Sequence, residues 1–148
     1  MTSAAVVKAR LEKVRKAAQS VVQGALRKGA GVIVKEMRKR APVGPETKKR
    51  REEGPKKRIK RRIKVAKSRL RKGEIAAALA KSAAPHSHLV EKGTQQRKRK
   101  KGGSTGAVPA KPFAQPAVDA TRGAVEQAVA AELTKKLEAM ARKIATGG

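Results

Sequence analysis

The feature that most limits this fold is a mismatch between charge and core. Lys and Arg number 39 against 11 Asp and Glu, a formal charge of +28 on 148 residues. Leu, Ile, Val and Phe together number 27, just under the roughly one-fifth of a chain below which high charge goes with disorder. Alanine raises the apolar total but buries little area per residue. Self-repulsion on this scale disfavours a compact free monomer and calls for a polyanionic neighbour or a place in an assembly. The length suits one domain, residues 1–148, with a small core that leans on neighbouring chains.

Several classes are excluded early. The chain has no cysteine, so neither disulfides nor thiol chemistry is available. The longest useful apolar run, "IAAALA" at 75–80, is far short of a membrane span. The N-terminal "MTSAAVVKARLEKVRK" is charged too soon for a secretory leader. The expected setting is a cytoplasm, or particles assembled in one, with no membrane partner.

The periodicities predict an α+β fold. Val7, Leu11, Val14, Ala18, Val21 and Ala25 repeat at four-three spacing, one apolar stripe of a helix over 3–40 that Thr2 or Ser3 can cap. Gly24, Gly29 and Gly31 interrupt it and predict a bend or a close packing contact. Pro42 ends it, since the residue before a proline avoids helical angles. A basic loop over 44–57 follows. Ile59, Ile63 and Val65 then read as the apolar face of a strand, with Lys60, Arg62 and Lys64 opposite and Arg61 breaking the apolar side. A turn at Lys72–Gly73 leads to a second strand with Ile75, Ala77 and Leu79 on one face. "HSHLVEKGT" (86–94) fits a short helix or a further strand. A flexible basic loop occupies about 95–108. A long helix over 116–145 carries Val118, Val125, Val129, Leu133, Leu137, Met140 and Ile144 on its apolar face and packs on the sheet. Charge divides unevenly along this plan. Residues 35–72 hold 19 basic and 4 acidic side chains, while residues 115–148 hold 5 and 4.

Little here supports chemistry. His86, His88 and Glu91 are the one cluster that suggests a metal, but no cysteine or third histidine completes a zinc set. "GGSTG" lacks the lysine and spacing of a phosphate-binding loop. No nucleophile–base pair is visible. The reading is a non-enzyme without cofactor. The basic runs suit phosphate contacts, which need only positive charge, and equally suit solvated faces or acidic neighbours in an assembly. Base stacking is not available, because Phe113 is the only aromatic residue. Nucleic-acid contact would be backbone-directed, salt-sensitive and blind to sequence.

That single ring stands in "PAKPFAQPA" (109–117), framed by Pro109, Pro112 and Pro116. Pro116 suits the first turn of the last helix, where its missing N–H costs nothing, and should hold Gln115 out of helical geometry. Phe113 is thereby aimed in one direction, either into its own fold or toward an adjacent subunit.

"KRAPV" (39–43) ending a long helix, two strands, "HSHLVEKGT" (86–94), and "AKPFAQPAVDA" (110–120) opening a last helix form an ordered set. This order resembles the tail-completion, or head–tail joining, family of long-tailed bacteriophages, the gene-product-ten-like neck proteins of lambdoid phages. Ala41, Pro42 and Val43 match its first element. Val90, Glu91, Gly93 and Thr94 match the second, and Pro112, Phe113, Pro116 and Ala117 the third. "GPETKK" lacks the leucine usual after the first element, Lys92 replaces an aromatic and Lys111 an arginine.

The resemblance implies a structural virion protein of the neck or tail top. It would form a homo-oligomer, by tail symmetry a hexameric ring around the DNA passage, made in the host cytoplasm. Its partners would be a stopper, terminator or tail-tube protein. It marks Pro42, Val43, Val90, Glu91, Gly93, Thr94, Pro112, Phe113 and Pro116 as interface residues. Charge marks Lys56, Lys57, Arg58, Lys60, Arg61, Arg62, Lys64, Arg97, Lys98, Arg99, Lys100 and Lys101 as the electrostatic surface, able to meet double-stranded DNA. The competing reading is a sequence-nonspecific nucleic-acid-binding protein of ribosomal or nucleoid type.

Overall fold

The structure, a computed structural model, describes residues 4–43, 59–68, 74, 76–96, 102–104 and 106–145. Two long helices dominate it: α1 (Ala4–Arg40) and α4 (Ala114–Ala145). Between them in sequence come the one-turn helix α2 (Ile59–Arg62), strands β1 (Ile63–Lys67) and β2 (Ala78–Ser82), and the short helix α3 (Ser87–Lys92). The strands pair antiparallel, Val65 opposite Ala80. The α+β class read from the sequence is the observed one, but the last helix packs along α1 and not on the sheet as expected, because the close approach at Gly29 seats it against the first helix.

The helices pack antiparallel at very close range. Gly24 faces the Lys136 side chain, and Gly29 faces Val129 and Val125. Gly29 is buried. A Cβ there would lie 2.6 Å from Val129 Cγ2 and 3.1 Å from Val125 Cγ1, so a side chain would push the helices apart. Of the two outcomes expected of these glycines, close packing is the one found at Gly29. Gly31 has open space where its Cβ would stand. The two positions should therefore respond oppositely. Gly29→Val is expected to cost about 2 kcal/mol by overpacking. Gly31→Ala is expected to gain up to about 1 kcal/mol from helix propensity. Urea denaturation followed by circular dichroism reads both.

The core lies at one end of the helix pair. Val34, Met37 and Ala41 of α1 and its exit meet Ile59, Ile63, Ala84, Phe113 and Ala117. Phe113 and Ile63 are the largest fully buried side chains. Polar side chains of α1 tie the hairpin down. The Gln23 side-chain amide donates to the Ala77 carbonyl (2.7 Å) and accepts from its N–H (3.3 Å). The Arg38 guanidinium donates twice to the Ile63 carbonyl, at 3.1 and 2.7 Å. On α4, the buried Thr121 hydroxyl donates to the Ala117 carbonyl one turn back (2.7 Å), which satisfies it without an outside partner.

Several sequence expectations are corrected. Ile59 does not begin a strand: residues 59–62 form a helical turn, which brings Ile59 and Ile63 to the same buried side at i, i+4 spacing. β2 presents the opposite face from the one expected. Ala78, Ala80 and Ser82 point inward while Leu79 is exposed. The register explains this, because Ile63 and Val65 fill the inner face of β1 and leave room only for small residues across from them. The apolar stripe of α1 is covered only in part, since Val7, Leu11 and Val14 are exposed. On α4, Val118 and Leu137 are exposed, while Ala117 and Thr121 are buried in their place. The last helix starts at Ala114, so Gln115 is helical despite the proline after it. Thr2, Ser3, the 44–57 loop, the Lys72–Gly73 turn and Ile75 lie outside the described residues.

Candidate functional site

The second and third motifs, far apart in sequence, are bonded to each other at the start of α4. The first turn of a helix leaves backbone N–H groups without intrahelical partners. Here the Glu91 carboxylate, reaching across from α3, accepts three of them. It takes the N–H of Phe113 at 3.0 Å, of Ala114 at 3.1 Å and of Gln115 at 3.4 Å. A negative charge at this end also complements the helix dipole. This capping is why α4 begins two residues before Pro116. The Gln115 N–H is held by a carboxylate in helical geometry, and that offsets the preference imposed by the following proline.

Backbone bonds fasten the same two segments. Lys111 N–H donates to the Val90 carbonyl (2.8 Å), and Thr94 and Val108 exchange N–H···O bonds at 2.9 and 3.2 Å. The Thr94 hydroxyl accepts a further bond from Val108 N–H. Gly93 makes the passage between them possible. Its φ of +74° belongs to the left-handed region, and a Cβ would stand 2.8 Å from both Ala110 N and Val108 O. Four of the five positions of "VEKGT" thus have a physical cause: Val90 packs on the core, Glu91 caps α4, Gly93 clears the crossing segment, and Thr94 bonds it.

The first motif arrives at the same place. Ala41 is buried in the cluster that holds Phe113, and its N–H closes the last turn of α1 on the Met37 carbonyl (2.9 Å). Pro42 is half-buried and Val43 exposed. Pro112 is exposed and Pro116 half-buried. Three stretches centred near residues 42, 91 and 113 therefore converge on one ring, Phe113, which is 2% exposed.

A match to a family model now fits what the geometry has assembled. Residues 5–93 match the family described as "Bacteriophage HK97-gp10, putative tail-component". The chain belongs to this family. Membership makes it a tail component of a bacteriophage particle, a structural part of the virion. The HK97-gp10-like match takes in α1, the hairpin and α3 and ends at Gly93, one residue short of Thr94. The third motif, with Phe113, is joined to the matched region by Glu91. No curated protein and no solved structure matches the chain.

The charged surface is partly visible. Lys60, Arg61 and Lys64 are exposed and Arg62 is half-buried, its carbonyl accepting from Ala83 N–H. Lys56, Lys57, Arg58 and the run Arg97, Lys98, Arg99, Lys100 and Lys101 lie outside the described residues. The register adds a residue that sequence reading missed. Lys81 stands directly opposite Lys64, both exposed on the outer face of the hairpin. Like charges in that position are destabilising, so this face holds positive charge at a cost to the sheet. The alternation of β2 could have found Lys81 had its face been assigned correctly.

Among the acids, Glu36 accepts from Lys39 at 3.3 Å and Arg40 at 2.9 Å. Those bonds, Lys39's first, hold its carboxyl below the ordinary value. The pair contributes at neutral pH and is lost as pH falls through that lowered value, but at the solvent boundary its worth is small. Among the described residues no group of His, Asp and Glu is arranged to hold a metal ion, and Glu91 is occupied by α4. No described helix is long and apolar enough to cross a membrane.

Proposed function

We propose that this HK97-gp10-like protein completes the top of a phage tail. It assembles as a hexameric ring around the DNA passage and joins head to tail through neighbouring neck and tail proteins. The observation that carries the reading is the convergence of three motif segments on Phe113 in a member of a tail-component family. The role is mechanical and requires no catalysis or cofactor. A ring supplies the neighbours that so thin a core calls for, and DNA in the passage offers phosphate charge to offset +28 per subunit.

In this reading the chain is one domain assembled in the host cytoplasm. Its basic residues, Lys60, Arg61, Lys64 and Lys81 with the runs at 56–58 and 97–101, meet DNA phosphates without reading sequence. Val43 and Pro112, the exposed motif residues, contribute to the joint together with half-buried Pro42. The Lys64–Lys81 pair also favours a second reading, a free-standing nucleic-acid-binding protein.

A phage lacking this gene separates the two. The joining role predicts that DNA-filled heads and finished tails accumulate apart and that supplying the protein restores whole particles. Normal joining in its absence, with tight, steeply salt-dependent DNA binding by the isolated monomer, supports the second reading instead.

A further inference from the structure

α1 outruns the helix it packs on. With Gly24 against Lys136 and Gly29 against Val129, α1 followed toward its N-terminus passes the last residue of α4, Ala145. Residues 4–17 are exposed without exception. The apolar stripe nevertheless continues at unchanged spacing. Ala25 is buried and Val21 and Ala18 half-buried, and Val14, Leu11 and Val7 extend the same line into solvent, with Leu11 64% exposed.

We propose that this N-terminal arm docks on α4 of a second copy of the chain, along the side that carries Leu137. The proposal rests on the ring reading above and names the contact that builds it. Continuity favours a helix as the occupant, because the stripe that α4 covers over residues 18–29 is the same stripe that lies bare over 7–14. Charge selects which helix. The arm holds Lys8, Arg10, Lys13, Arg15 and Lys16 against Glu12 alone. Two such arms side by side would repel, and the outer face of the hairpin, with Lys64 and Lys81, would repel an arm as well. From Asp119 to Glu138, α4 carries four acids (Asp119, Glu126, Glu132, Glu138) against Arg122, Lys135 and Lys136. Even with Arg142 and Lys143 in its last turn, α4 is the long described element that opposes the arm least. It also exposes apolar surface to receive it, since Leu137 is 52% exposed beside exposed Ala130 and Ala141. An arm seated on the next subunit's α4 leaves each copy with one free arm and one free α4, and a contact of that kind repeats until it closes a ring.

The absence of cysteine makes the test clean. The double variant Leu11→Cys, Leu137→Cys introduces the only thiols. Within one chain they stand about 20 Å apart, since Leu11 precedes Gly24 by thirteen residues of helix, well beyond disulfide reach. Mild oxidation should give a ladder of covalent dimers, trimers and higher species on a denaturing gel, and neither single variant should give one. Leu11→Asp should lose assembly while keeping wild-type helical content, because the arm contributes no core contact. A wild type that assembles while the double variant gives no ladder and Leu11→Asp assembles normally overturns the docking and leaves the ring intact. A cross-link that stops at dimers overturns the repeating contact. A wild type that stays monomeric under all conditions removes both.

Discussion

Phe113→Ala is expected to unfold the protomer or bring it close to unfolding. Its ring is enclosed by residues of its own chain, Val34, Met37, Ile59 and Ile63 among the cluster it shares. Truncating a buried Phe costs about 3–5 kcal/mol, against a total stability of about 5–15 kcal/mol for an ordinary domain. Among the described residues this core has only one other large side chain so fully buried, Ile63, so no described neighbour can take over. The sequence left two destinations for the ring, its own fold or an adjacent subunit, and the structure selects the first. Circular dichroism during urea denaturation is the measurement. Intrinsic fluorescence is of no use, as the chain has neither Trp nor Tyr. Phe113→Leu, which keeps an apolar side chain in the pocket, should lose distinctly less. A Phe113→Ala protein with wild-type stability that only fails to assemble would show that the ring acts between subunits.

Glu91→Ala should be the next most damaging change, although Glu91 is only half-buried. Removing the carboxylate leaves the N–H groups of Phe113, Ala114 and Gln115 without their acceptor. Loss of a helix cap costs about 0.5–2 kcal/mol, and loss of a favourable charge at a helix N-terminus adds about 0.3–1 kcal/mol. The expected total is about 2 kcal/mol. Glu91→Gln keeps an acceptor oxygen but not the charge and should lose about half as much. The same denaturation experiment decides. A Glu91→Ala protein within about 0.5 kcal/mol of wild type, as for an ordinary surface substitution, would mean the cap does little to hold α4.

What the sequence disclosed followed the strength of the local signals. Both long helices were legible because their apolar residues recur over many turns and because Pro42 and Pro116 mark their boundaries. The start of α4 was misplaced by two residues, since its cap comes from Glu91, more than twenty residues upstream, and no local pattern announces such a partner. Leu79 was assigned to the wrong face because alternation fixes which residues share a face and leaves open which face meets α1. That choice was made by Ile63 and Val65 on the neighbouring strand. Val7, Leu11 and Val14 belong to the α1 stripe by spacing, but periodicity cannot tell a stripe covered by the same chain from one left bare. Glu91, Gly93 and Phe113 stood out as motif residues, while their bonding to one another required the fold.

The central claim, that this tail component works as a ring, is tested most directly by the mass of the purified wild-type protein in solution. Native mass spectrometry or mass photometry, run from low to moderate salt, should find one dominant species of about 95 kDa, six copies of the 15.8 kDa chain. A protein that remains at the mass of a single chain at every concentration and salt would contradict the account.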